Sequence, residues 1–176
     1  MTGAIGRRLA RTVAVTLVAL LGSVGPSTAA SAPPALNSYS IDLPAGTACA
    51  FELSIEILSA EHRVFREFKD RNGNVVRSLQ AGAGDTLVFT NVSTSRALAP
   101  LKTGGSVIRT TINPDGSQTV ALTGHNVLIL FPTDVPAGPS TTLYLGRVVY
   151  TADTNGVFTL QSVSGSSTNI CALLSV

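Results

Sequence analysis

The 176-residue chain carries 12 Lys and Arg against 10 Asp and Glu, a formal net charge of +2, and it has no tryptophan. Arg7, Arg8 and Arg11 stand together near the start, which leaves nine basic against ten acidic residues in the remainder. A nearly neutral body without Trp lacks the basic footprint and the aromatic platform that nucleic-acid binding draws on, so no nucleic-acid partner is expected.

Those three arginines open a leader pattern. Residues 13–24 form an apolar run, and Gly25, Pro26, Ser27, Thr28, Ala29 and Ala30 supply the small residues of a cleavage site. The run is roughly 12 residues, whereas a membrane-crossing helix needs about 20. We therefore read 1–30 as a secretory signal peptide, expect no membrane anchor, and place the protein outside the cell. No cysteine follows the apolar run to accept a lipid. Residues 31–49, with Pro33, Pro34, Pro44 and Gly46, read as an extended lead-in, and 50–176 as the domain.

The strands come next in order. Phe51, Leu53, Ile55 and Ile57 alternate with Glu52, Ser54 and Glu56, the period of a half-buried strand. A second strand is expected over about 63–70, followed by Asn72-Gly73, which suits a tight hairpin turn. Strands over 75–79 and 86–91 are expected to be split by a turn at Ala81-Gly82-Ala83-Gly84-Asp85. Gly82-Ala83-Gly84 precedes a strand, so it is no phosphate cradle. Further strands are expected at 107–112, 118–123, 127–131, 142–151 and 157–163. Their turns are Asn113-Pro114-Asp115-Gly116, Gly124-His125-Asn126, the proline-rich 132–140 and Asp153-Thr154-Asn155-Gly156. That makes about nine strands, no helix beyond the leader, and one all-β antiparallel domain.

The two cysteines, Cys49 and Cys171, bracket this meander and are expected to pair, as two cysteines in an exported protein do. Such a bond joins the ends of the meander. Barrel closure, which also removes sheet edges, is the first expectation, and a sandwich with neighbouring first and last strands is the alternative. Residues 127–131 and 143–150 are apolar on both faces, so something must cover them: the 132–140 loop, or a second copy in a homodimer. An outer-membrane barrel does not fit, because scattered Tyr39, Tyr144 and Tyr150 form no aromatic girdle.

One strand breaks the in-out pattern. Facing Val64 and Phe68 inward takes Arg66 with them, while the opposite choice takes Glu67 and Lys69 with Phe65. A charge on an apolar side must be paired or wet, so this strand is where a polar-lined cavity is expected, with an edge strand of snorkelling side chains as the alternative. Arg66, Glu67 and His125 are the candidate ligand-binding residues. His62 and His125 have no metal-ligand spacing, no serine stands in a GxSxG elbow, and neither a cofactor nor a metal is expected. His125 could act as a base only if it met Asp134 or Glu61 in space. Asn91-Val92-Ser93 is a glycosylation sequon in form alone.

Taken together, the leader, the Cys49/Cys171 bracket, the Asn113-Pro114-Asp115-Gly116 turn and the stretch 124–136 resemble small secreted β-rich proteins of high-GC Gram-positive bacteria. The resemblance implies export and an all-β fold, and it carries over no activity and no site residues. The leading expectation is an exported, non-catalytic binding module for a small or amphipathic ligand. A self-associating structural protein of the cell surface and a barrel-type enzyme with few catalytic groups are the alternatives.

Overall fold

The computed structural model describes residues 38–60 and 62–176, so the leader and Glu61 lie outside the described residues. Among these, nine antiparallel strands form one sheet: β1 (Ser38–Leu43), β2 (Leu53–Leu58), β3 (Arg63–Lys69), β4 (Val75–Asn91), β5 (Arg96–Ala97), β6 (Leu101–Ile112), β7 (Gln118–Leu130), β8 (Ser140–Ala152) and β9 (Phe158–Asn169). The order is β1-β2-β4-β6-β7-β8-β9, with β3 and β5 also on β4. β1 and β9 end this path and do not pair with each other, so the sheet is not closed into a barrel. A single turn of helix, α1 (Ile170–Leu174), follows β9 where no helix is expected, capped by Asn169 Oδ1 accepting from the Ala172 N–H.

Two expected turns are interior points of long strands. Residues 81–85 sit inside β4 and 124–126 inside β7. β1 also falls within the segment read as lead-in, where Leu43, Ile41 and Tyr39 pair with Leu53, Ile55 and Ile57 of β2.

These long strands are bent. Val135 pairs with Thr159 of β9, its N–H donating to Phe158 O (2.8 Å) and its carbonyl accepting from Leu160 N–H (2.7 Å). Thr159 shares a row with Thr151 and Thr119. In a straight β7, Thr119 would lie roughly 36 Å from Leu130, yet the five residues from Leu130 to Val135 reach at most about 18 Å. The sheet must therefore fold back on itself between those rows.

The fold runs along a line of glycines. Gly124 pairs with Gly146 and Gly146 with Gly165, while Gly104 pairs with His125 and the β4 register slips from Gly82 to Thr86. Backbones approach too closely along this line for a side chain: a Cβ on Gly146 (φ +144°) would lie 2.2 Å from Ser164 O, and one on Gly165 2.1 Å from Leu145 O. Glycine alone accepts such dihedrals and such an approach.

Bending creates two cores. Val120, Leu122 and Val148 on one side of the crease are buried with Leu128, Leu130 and Tyr144 on the other. Beyond Gly104, β6 leaves β7, so β2 and the second half of β4 form a separate layer. That layer packs Leu53, Ile55 and Phe89 against Val127, Ile129 and Leu143. Residues 127–130 are thus covered on both faces by the sheet itself, as are Leu143 and Tyr144, while beyond Gly146 the face of β8 that carries Arg147 and Val149 stays at the surface. The loop adds a clamp: buried Asp134 accepts from Phe131 N–H (2.6 Å) and Phe158 N–H (2.8 Å).

The Cys49–Cys171 disulfide, with Cα atoms 5.5 Å apart, lies in the core between the layers. It ties β2 to α1 and the end of β9 across the sandwich, beside the buried Thr141 hydroxyl that donates to Ala48 O (3.0 Å). The bond does not mark a sheet edge joined to its opposite edge.

Three turns crowd one end of the sheet, each organised by an aspartate. Asp70 accepts from Asn74 and Asn72 N–H, Asp115 from the Ser117 hydroxyl and N–H, and Asp153 from Val157 and Asn155 N–H. These bonds, led by those from Asn74, the Ser117 hydroxyl and Val157, hold all three carboxyls below the ordinary aspartate value. A lowered folded-state pKa means the ionised form stabilises the fold, complete above about pH 4 and lost as pH falls through the lowered values. We expect the urea midpoint to drop between pH 6 and pH 3, and the drop to shrink in a variant carrying Asp70→Asn, Asp115→Asn and Asp153→Asn. Parallel acid limbs would show that these turns are not the acid-sensitive elements.

Candidate functional site

Where β6 parts from β7 and β4 slips in register, neighbouring backbones no longer close on one another. The opening is a cavity of about 110 Å³ whose walls include Arg63, Gln80, Asp85, Thr103, Ser106 and Asn126. That volume is well above the roughly 10–15 Å³ one water needs, and well below the ~300 Å³ of a drug-sized site. It suits a molecule of a few heavy atoms.

The wall is held by a network centred on Asp85. Its Oδ1 accepts from the Arg63 guanidinium and from Ala60 N–H (3.0 Å), while its carbonyl accepts from the Thr103 hydroxyl (2.8 Å). Arg63 Nε donates to Ala83 O (3.3 Å), and Ala83 N–H donates to His62 O (3.0 Å). The ion pair is part-exposed, with side chains 35% and 22% accessible, so its strength is limited by solvent and its main effect is to fix the Arg63 fork. Gly84 lets the two strands meet here, since a Cβ would lie 2.1 Å from Thr103 O.

Asn126 is the unusual member. It is 8% exposed, and its Nδ2 is buried without a hydrogen-bond partner. Leaving a buried amide donor unpaired costs about 1–3 kcal/mol, and native proteins seldom leave one so without a reason. The Ser106 hydroxyl donates to His125 O (3.0 Å), and the Thr103 hydroxyl to Asp85 O, so both of these protons are committed. The Asn126 amide is the buried donor left without a partner, and a carbonyl or carboxylate oxygen is its natural complement.

The candidate residues chosen from the sequence are not brought together here. Arg66 and Glu67 are exposed on β3 and, as adjacent strand residues, point to opposite faces. All of β3 is exposed, as an edge strand is, with Val64 at 55% and Phe65 at 60%. His125 is exposed within β7, pairs through its backbone with Gly104 and Leu145, and forms no ion pair among the described residues. Asp134 spends both oxygens on backbone N–H groups of the clamp. A polar-lined cavity does lie beside β3, but its residues are Arg63 rather than Arg66 and Asn126 rather than His125. The missed signal is one of parity: Val120, Leu122, Asn126, Leu128 and Leu130 share one face of β7, and Asn126 is the polar member of that apolar stripe.

No cluster of three or more metal-ligating side chains occurs among the described residues, and no described helix is long and apolar enough to cross a membrane. Comparison of the chain with protein-family models, with characterised proteins and with solved structures finds no match.

Proposed function

We propose that this chain is an exported, non-catalytic binding module that holds a small acceptor-bearing molecule in the crease cavity. The observation that carries the reading is the buried Asn126 amide, left without a hydrogen-bond partner in a residue that lines the cavity. The Arg63 fork, fixed by Asp85, offers a second donor to the same oxygen-bearing group. The leader pattern, the resemblance to secreted β-rich proteins and the buried disulfide support export.

Acetate and acetamide are the matched probes, with ethanol as a control lacking a carbonyl. In an NMR titration, acetate and acetamide are expected to shift the Asn126 side-chain amide resonances, with ethanol leaving them in place. Absence of any shift with both carbonyl probes would sink the reading. Asn126→Leu is expected to abolish the shifts that the carbonyl probes cause in backbone amides lining the cavity, such as those of Ala81 and Ser106, while raising stability by about 1 kcal/mol, because it removes an unsatisfied polar group from an apolar stripe. A destabilised Asn126→Leu protein would instead mark Asn126 as a packing residue.

A further inference from the structure

Away from the cavity, the sheet carries a face that the binding reading does not use. Residues directly opposite on paired strands share a face, so Arg66, Leu79, Arg109, Ala121, Val149 and Ser162 form one cross-strand row. The neighbouring rows place Arg77 and Arg147 on the same face, through the Phe68, Arg77, Thr111 and Val107, Thr123, Arg147 pairings. All four arginines are exposed, and none forms an ion pair among the described residues.

Carboxylates are absent from these rows. Glu67 lies on the reverse face through Ser78 and Thr110, and Asp85 is engaged by Arg63 at the crease. Asp42 and Glu56 belong to the separate β1/β2 layer, and Asp70, Asp115 and Asp153 to the end turns. The positive charge is therefore gathered on one surface of a nearly neutral protein. Two shallow recesses follow it, one of about 270 Å³ with Phe68, Arg77 and Leu79, the other of about 150 Å³ with Val107, Thr123 and Arg147. Arg109 belongs to both, so they form one diagonal track. With strands about 4.8 Å apart, successive arginines along Arg77, Arg109 and Arg147 are spaced by roughly 8–12 Å.

We infer that this arginine track binds an acidic polysaccharide. An extended anion is required because the charges are spread along a line rather than converging on a point. Beside the arginines these rows carry the exposed hydroxyls of Thr111, Ser162 and Ser164, which exchange hydrogen bonds with sugar hydroxyls. A nucleic-acid strand would want free aromatic faces, but Phe68, the aromatic side chain in these rows, is already covered by the Arg77 guanidinium at 4.3 Å. A lipid surface would want protruding apolar anchors along the whole track, yet Leu79, Val107 and Val149 are half-buried between the arginines, and the exposed Val64 and Phe68 of these rows stand on the edge strand β3. The inference is independent of the crease cavity.

The test uses the full chain and a heparin-derived octasaccharide, with an oligothymidylate and phosphatidylglycerol vesicles as competing polyanions. Binding to the octasaccharide is expected to weaken with salt, and Arg109→Ser/Arg147→Ser is expected to cost about tenfold in affinity and about one unit of log-log salt slope per arginine removed. Lys102→Ser, beyond the crease, is expected to leave affinity unchanged, and thermal melts of each variant check that the fold is kept. Equal losses in Lys102→Ser and the arginine variant would overturn the inference, as would tighter binding to the oligonucleotide or the vesicles. Concentration-dependent self-association abolished by Arg109→Ser/Arg147→Ser would overturn it too, assigning the face to the acidic β1/β2 layer of a second copy.

Discussion

Gly146→Ala is expected to destabilise the protein by about 3–5 kcal/mol, enough to leave much of it unfolded if the native stability is of ordinary size. The added methyl would lie 2.2 Å from Ser164 O at a backbone angle of +144°, and its neighbours at the crease are backbone atoms that cannot rotate away. Relief would require the β8 and β9 backbones to separate where the sheet folds, which would pull apart the Tyr144 and Val148 core. Gly73→Ala is the matched control. Gly73 also has a positive angle, +87°, but nothing lies within 4 Å of its missing Cβ, so that change should cost only about 1 kcal/mol. Urea denaturation of both variants makes the comparison. If the two costs were equal, the crease would owe nothing to the close approach of its strands.

Removing the disulfide is expected to have the next largest effect. Cys49 and Cys171 are 122 positions apart, and closing a loop of that order contributes about 4–5 kcal/mol in the chain-entropy description. Cys49→Ala/Cys171→Ala should therefore melt roughly 10 °C or more below the native protein. The loss should also be uneven. Cys49 belongs to the core formed by Leu53, Ile55, Phe89 and α1, whereas Val120, Leu122, Leu128 and Val148 form the other core. Hydrogen exchange is expected to accelerate first in β1, β2 and α1, while amides of β7 and β8 flanking the crease keep their protection. Uniform acceleration across the sheet would show that the two cores unfold as one unit.

Much of this architecture is visible in residue order. The alternation of Leu53, Ile55 and Ile57 marks β2, and the Asn-Gly, Pro-Asp-Gly and Asp-Thr-Asn-Gly turns stand between the strands they join. The pairing of Cys49 with Cys171 follows from their being the two cysteines of a chain with a leader pattern. The glycines were the harder signal. A short Gly-rich stretch has the same local preferences whether it turns the chain or bends a continuous strand. Reading 81–85 and 124–126 as turns cut β4 and β7 in two and hid Asn126, which reads as a turn residue after Gly124 and as an intruder in an apolar stripe once β7 is whole. The spacing of Gly82, Gly104, Gly124, Gly146 and Gly165 at about twenty residues, one per hairpin arm, was the available clue.

Residue order by itself determined the strand class, the hairpin turns, the disulfide partners and the apolar faces, because each depends on a near neighbour or on a choice with a single outcome. Tertiary structure decided that the sheet folds at a glycine line instead of closing into a barrel. It also decided that residues 127–130, apolar on both faces, are buried by the sheet's own two halves, and that Arg63, Asp85 and Asn126 meet at one cavity while Arg66, Glu67 and His125 stay apart. Those outcomes depend on which backbones come within a few ångströms of each other across a hundred residues of chain, and local side-chain preferences carry no record of that.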